Sequence, residues 1–107
     1  MNFTGPIAAL HDNAAHVAER LRLLAHRDRL IMLCRMTDGE VSVGELVTLT
    51  GLSQASVSQH LAVLRDAGTV RVRAEAQSRF YRLVDVQVAG IIAALCDYSG
   101  RIAGEPG

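Results

Sequence analysis

The sequence predicts a mainly helical winged helix-turn-helix with a small β-hairpin wing, in the order α-α-α-α-β-β-α. Three observations predict it. From Val43 to Leu83 the chain reads VGELVTLTGLSQASVSQHLAVLRDAGTVRVRAEAQSRFYRL: two short helical patterns split by a glycine turn, then two alternating strand patterns around a polar tip. Both flanks carry apolar residues at helical spacing. The length, 107 residues, suits one domain, so residues 1–107 are read as a single DNA-binding unit.

Ile7, Leu10, Ala14, Val17, Leu21 and Leu24 alternate spacings of three and four, an apolar stripe on a helix of about five turns. That stripe exceeds what a lone surface helix needs, which predicts packing on a partner chain. His26 or Asp28 begins a second helix with Leu30, Ile31, Leu33 and Cys34 on its inner side, and Asp38-Gly39 ends it. Ser42 is placed to cap a short helix over Val43–Thr50, with Glu45 three residues on as in a capping box. Gly51 breaks that helix. Ser53 caps the next, which runs to about Asp66 and stops at Gly68.

Thr69–Arg73 and Arg79–Leu83 are rich in strand-favouring types, with Glu75–Ser78 as the turn. Asp85 starts a last helix with Val88, Ile91, Ile92 and Leu95 at helical spacing, and the residues after Ser99 read as a frayed tail.

No apolar run approaches the ~18 residues that span a bilayer, and the N-terminus lacks a signal-peptide pattern. The expected location is the cytoplasm. Phosphate loops, nucleophile elbows and paired carboxylates are also missing, so no enzyme and no cofactor is expected.

Net charge is zero, from 11 basic and 11 acidic residues, every basic one an arginine. Distribution matters more than the sum. Arg65, Arg71, Arg73, Arg79 and Arg82 lie between Gln54 and Leu83 against only Asp66 and Glu75, a locally basic face on a neutral body.

On the helix after Ser53, Val57, Leu61 and Leu64 fall on one face and belong to a core. Ala55 and Gln59 lie opposite, flanked by Ser56 and Ser58. Short or amide-bearing side chains allow close approach and can both donate to and accept from bases and phosphates. A merely capped, solvated amphipathic helix would look similar, but the preceding helix, Gly51 and the ribbon argue for reading double-stranded DNA. In the ribbon Val70 and Val72 share one side and Arg71 and Arg73 the other, with Arg79 and Arg82 on the return strand. Arginines near a hairpin tip suit a DNA backbone or minor groove; the bland alternative is protection of an edge strand.

At these residues the chain resembles the ArsR/SmtB family of dimeric winged-helix repressors, over roughly Leu21 to Asp85. The segments LRLLAHRDRLIMLC, DGEVSVGEL, GLSQASVSQHLAVLRDAG and VRAEAQSRFYRL carry the resemblance. It implies a homodimer formed through the first and last helices. It also implies that Gln54, Ser56, Ser58, Gln59 and His60 sit at the operator, with Arg73, Arg79 and neighbours in the wing. Two departures stand out: Arg27 replaces a frequent proline, and Arg73-Ala74 replaces a pair of basic residues, which displaces the expected wing contact toward Arg71 and Arg79.

The resemblance also frames what is sensed. Metal-responsive relatives carry a Cys-x-Cys pair at the start of the third helix, where this chain reads Val41-Ser42-Val43-Gly44-Glu45. Others use Asp and His on the last helix; here Asp85 has no following histidine. His11 and His16 are five apart and do not stack on one helix face. No metal site is therefore expected.

Two cysteines remain, Cys34 and Cys96, and a structural disulfide is not expected in a reducing cytoplasm. The resemblance is close to the BigR/HlyU-like subgroup, through EAQ-x-x-FYRL and LSQ-x-x-x-SQHL. There one thiol in each of the second and last helices reacts with reactive sulfur species or oxidants, and DNA is released. The expectation is a repressor with a Cys34/Cys96 dithiol switch; structural cysteines without a switch, or metal response, are the alternatives. Spacing is the obstacle. Counted from Asp85, the subgroup's second cysteine aligns near Gly100, so Cys96 lies one turn early, about 5–6 Å along the axis. Such a shift could defeat a direct disulfide, which needs Cα atoms within about 7 Å, unless the helices are displaced to match; a polysulfide link would be longer and more forgiving.

Overall fold

The computed structural model describes residues 4–104. The elements are α1 (Gly5–Leu24), α2 (Arg27–Met36), β1 (Val41–Ser42), α3 (Val43–Thr50), α4 (Gln54–Asp66), β2 (Val70–Glu75), β3 (Ser78–Leu83) and α5 (Val86–Gly104). The winged helix-turn-helix expected from the sequence is present, with one strand more than expected. Val41–Ser42 is too short to show alternation. It becomes a strand because β3 offers a free edge: Val41 pairs with Tyr81 and Ser42 with Phe80. The result is an antiparallel sheet in the order β1-β3-β2.

Caps set the boundaries. The Nδ1 of His26 accepts the Asp28 N–H at 3.2 Å, which fixes the start of α2. Ser42 Oγ accepts the Glu45 N–H and Ser53 Oγ the Ser56 N–H, both at 3.1 Å. The reciprocal half of the capping box does not form, because the Glu45 carboxylate is taken by Arg35 Nε at 2.8 Å. Asp85 Oδ1 accepts the N–H groups of Gln87 and Val88 and opens α5.

Gly51 closes α3 at φ 76° and Gly68 follows α4 at φ 77°, left-handed conformations that a Cβ disfavours. Thr50 Oγ1 locks the intervening turn, donating to the Leu46 carbonyl and accepting the Leu52 N–H.

Three boundaries differ from the sequence reading. The strands run on to Glu75 and back from Ser78, which leaves Ala76-Gln77 as a two-residue tip with Ala76 at φ 54°. The helix α5 continues past Ser99 to Gly104 instead of fraying. In α2 the fully enclosed residues are Met32, Leu33 and Met36, while Leu30 and Cys34 only flank the core and Ile31 lines an open cavity.

The core joins α2, α3, α4, the sheet and the first half of α5. Val57, Leu61 and Leu64 from α4 are wholly enclosed, as their spacing predicted, together with Leu46, Val41, Val70 and Ile92. Truncating a leucine here costs about 2–5 kcal/mol, so α4 is anchored by its own inner face. Of the residues of α1, only Leu24 is buried. Arg20 Nη1 donates to the Ala67 carbonyl at 2.8 Å and ties α1 to the end of α4.

Candidate nucleic-acid interface and dithiol

With Val57, Leu61 and Leu64 facing inward, α4 turns Gln54, Ala55, Ser58 and Gln59 to solvent over its first two turns. Gln54 and Ser58 are four residues apart, as are Ala55 and Gln59, so the four form one continuous patch. Among the described residues, the side chains of Gln54, Ser58 and Gln59 make no hydrogen bond within the chain, so their donors and acceptors are free. Ser56 is half-buried, its N–H committed to the cap.

His60 is placed differently from those four. It falls three residues after Val57 and four before Leu64, on the margin of the inner face. Its ring packs against His26, with centroids 4.5 Å apart. Partial burial lowers its pKa, assisted by His26 and Arg29 and opposed by Asp28.

In the ribbon, register decides which arginines share a face. Arg71 stands opposite Arg82, Arg73 opposite Phe80, and Ala74 opposite Arg79. Arg73 is already engaged: it bonds Glu40 at 2.7 and 3.1 Å and Glu75 at 2.7 Å, and its guanidinium lies 4.8 Å from the Phe80 ring centre. The Arg73 hydrogen bond holds the Glu40 carboxyl below its usual pKa, and Arg73 is itself raised. Arg71, Arg79 and Arg82 are exposed and, among the described residues, have no ion pair. Like charges directly opposite each other destabilise a strand pair, so Arg71 and Arg82 form a cationic spot on the wing, moderated on the Arg82 side by the Glu40 carboxylate. The pairing of Arg82 with Arg71 follows from register, which depends on the two-residue tip.

Cys34 on α2 and Cys96 on α5 form a disulfide, with Cα atoms 6.1 Å apart. The spacing obstacle is thereby corrected, and the two cysteines expected to pair are within bonding distance. The packing of α5 on α2, through Val88 and Ile92 in the core, brings Cys96 rather than a residue one turn later opposite Cys34. Both cysteines are half-buried at the edge of the core. They line an open, mainly apolar cavity of about 610 Å³ between α2, α3 and α5, walled by Ile31, Leu49 and Leu95 and bordered by Arg35 and Asp38. Arg35 points its guanidinium at Glu45 and at the carbonyls of Gly39 and Glu40.

A second constellation escaped the sequence reading. His26, Asp28 and His60 bring one ligand atom each to within 4.8 Å of one another. His60 is 34 positions from His26, and only the crossing of α4 over the start of α2 unites them. The signal available was the position of His60 on the inner margin of its helix.

Comparison with known proteins gives a consistent picture. The family described as "Bacterial regulatory protein, arsR family" matches residues 26–72. The chain is 44% identical over 90 residues to the biofilm growth-associated repressor of Agrobacterium fabrum, covering 84% of this chain and 77% of that one. It is 43% identical over 86 residues to the transcriptional activator HlyU of Vibrio cholerae, covering 80% of each. Reduced HlyU from that organism superposes with a TM-score of 0.76, covering 81% of this chain and 92% of HlyU at 42% identity. The transcriptional repressor BigR from Xylella fastidiosa superposes with a TM-score of 0.81 at 33% identity, over 96% of this chain and 100% of BigR. On this identity and coverage, with the helix-turn-helix and wing in place, the chain belongs to the arsR family of bacterial regulatory proteins.

Proposed function

We propose that the chain is a homodimeric transcriptional repressor whose DNA binding is governed by the Cys34/Cys96 pair. Gln54, Ser58 and Gln59 read base edges in the major groove, and Ser56 and the start of α4 lie at the phosphates. Arg71, Arg79 and Arg82 hold the backbone beside the site. Arg73 acts through its network with Glu40 and Glu75, which stiffens the wing. The observation that carries this reading is the free polar patch over the first two turns of α4, together with a ribbon whose exposed Arg71, Arg79 and Arg82 form no ion pair among the described residues. A phosphate between Arg71 and Arg82 would relieve the repulsion that the isolated wing sustains.

The switch rests on the 6.1 Å separation of the cysteine Cα atoms, within the range a disulfide spans. With a peroxide as oxidant, the two thiols lose two electrons and two protons, the S–S bond forms and the O–O bond is reduced. A persulfide does the same, leaving as a thiol and hydrogen sulfide. The link ties α5, a dimer helix in this reading, to α2. Two half-sites must lie about 34 Å apart, so a small rotation of one protomer takes a reading helix out of its groove.

A mobility-shift titration on the DNA upstream of its own gene tests the reading. Affinity should fall steeply with salt, and Gln54→Ala or Ser58→Ala should weaken binding by about tenfold, the order of one lost base contact. Salt-independent binding, or full affinity in both variants, would remove the DNA assignment. Both cysteines enter the edge of the apolar core, which is what a purely structural pair would do as well. Unchanged DNA affinity with both thiols modified would favour that second reading.

A further inference from the structure

We propose that His26, Asp28 and His60 form a site for a transition-metal dication of the zinc type, clamping the start of α2 to the reading helix α4. Their ligand atoms lie within 4.8 Å of one another, so one ion can touch all three. Two imidazoles and a carboxylate are a ligand set that zinc, cobalt and nickel accept, with further positions left to solvent.

Rigid elements hold the groups. His26 is the N-cap of α2, Asp28 sits in its first turn with a side chain only 13% exposed, and His60 stands on the inner margin of α4. The His26 ring meets the His60 ring at 4.5 Å. Either binding mode gives up the Asp28 N–H as a partner: a bond through Nδ1 uses the lone pair of the cap, and one through Nε2 places the imidazole proton on Nδ1.

Local charge selects among ions. Arg27 bonds Asp28 at 2.7 Å, and Arg29 is close enough to act on His60. A hard dication that depends on charge, such as magnesium or calcium, is therefore disfavoured. Affinity comes from the imidazoles, which favour borderline metals. The site is separate from the disulfide, which lies further along α2, so it gives α4 a second input that does not pass through Cys34.

Cobalt(II) is titrated into the oxidised full-length chain, whose thiols are held in the disulfide and cannot ligate. One equivalent per chain should bind with visible ligand-field bands, and zinc should displace it. His26→Gln and His60→Gln should each weaken binding by more than about tenfold, while His11→Gln with His16→Gln should leave it unchanged. A measurement on the unsubstituted chain covers the case of a variant that fails to fold: zinc should protect His26 and His60, but not His11 and His16, from diethylpyrocarbonate, as mapped by mass spectrometry. No saturable cobalt binding, binding that survives loss of both His26 and His60, or protection confined to His11 and His16 would overturn the proposal.

Discussion

Arg71 and Arg82 face each other across the ribbon without a carboxylate between them, while Arg73, two residues away, is saturated by Glu40 and Glu75. Net charge therefore misleads at this scale: one arginine of the wing, Arg73, is ion-paired within the fold, and three, Arg71, Arg79 and Arg82, are not. Arg71→Ala should weaken DNA binding across sequences and reduce the slope of log affinity against log salt by about one phosphate contact. It should not lower the melting temperature, because removing one of two opposed cations relieves repulsion. An unchanged salt slope, measured by fluorescence anisotropy, would take Arg71 off the DNA.

The outward residues of α4 were legible at this scale because Val57, Leu61 and Leu64 fix which face is inside. The engagement of Arg73 was not, since Glu40 lies 33 positions away and joins it only after the sheet has formed. The contact between His26 and His60 was hidden for the same reason.

Between α3 and α4, the angle of the turn decides whether the reading helix projects from the body. Gly51 at φ 76° and the two hydrogen bonds of Thr50 Oγ1 hold that turn. No heavy atom lies within 4 Å of where a Gly51 Cβ would stand, so Gly51→Ala is a backbone test free of steric clash. It should cost about 1 kcal/mol, which lowers the melting temperature by several degrees for a domain of this size. A variant that melts with the wild type would mean that the turn does not depend on the left-handed residue.

Helix starts were legible because Ser42, Ser53 and Asp85 are specific chemical signals. The strand β1 was illegible because two residues carry no period, and only its partner strand makes it one. The far end of α5 was misread because Gly100 and Gly104 suggest fraying, yet the helix continues with Ile102 exposed on it.

At the scale of the whole molecule the chain is extended. Its radius of gyration is 16.1 Å with extents of 56 × 41 × 20 Å, against about 13 Å for a compact chain near 100 residues. On the two long terminal helices, Ile7, Leu10, Val17 and Leu21 of α1 and Ile91, Leu95, Tyr98 and Ile102 of α5 are all exposed. Two such faces are what a homodimer would bury, and the apolar stripe of α1 announced one of them from spacing alone. Leu10→Glu should shift sedimentation from dimer to monomer and weaken operator binding at least tenfold, because a monomer holds one half-site. A monomeric wild type would remove the dimer from the account.

The resemblance pointed to Cys34 and Cys96 as a pair, but spacing alone did not bring them within bonding distance, because that depends on how far α5 slides along α2. The central claim is that this link controls DNA binding, and one measurement addresses it directly: the operator affinity of the same preparation with its thiols reduced and then with the disulfide formed, at fixed salt. The account predicts tight binding by the reduced dimer and at least tenfold weaker binding once the disulfide has formed, restored by reductant. Equal affinity in the two states would contradict it.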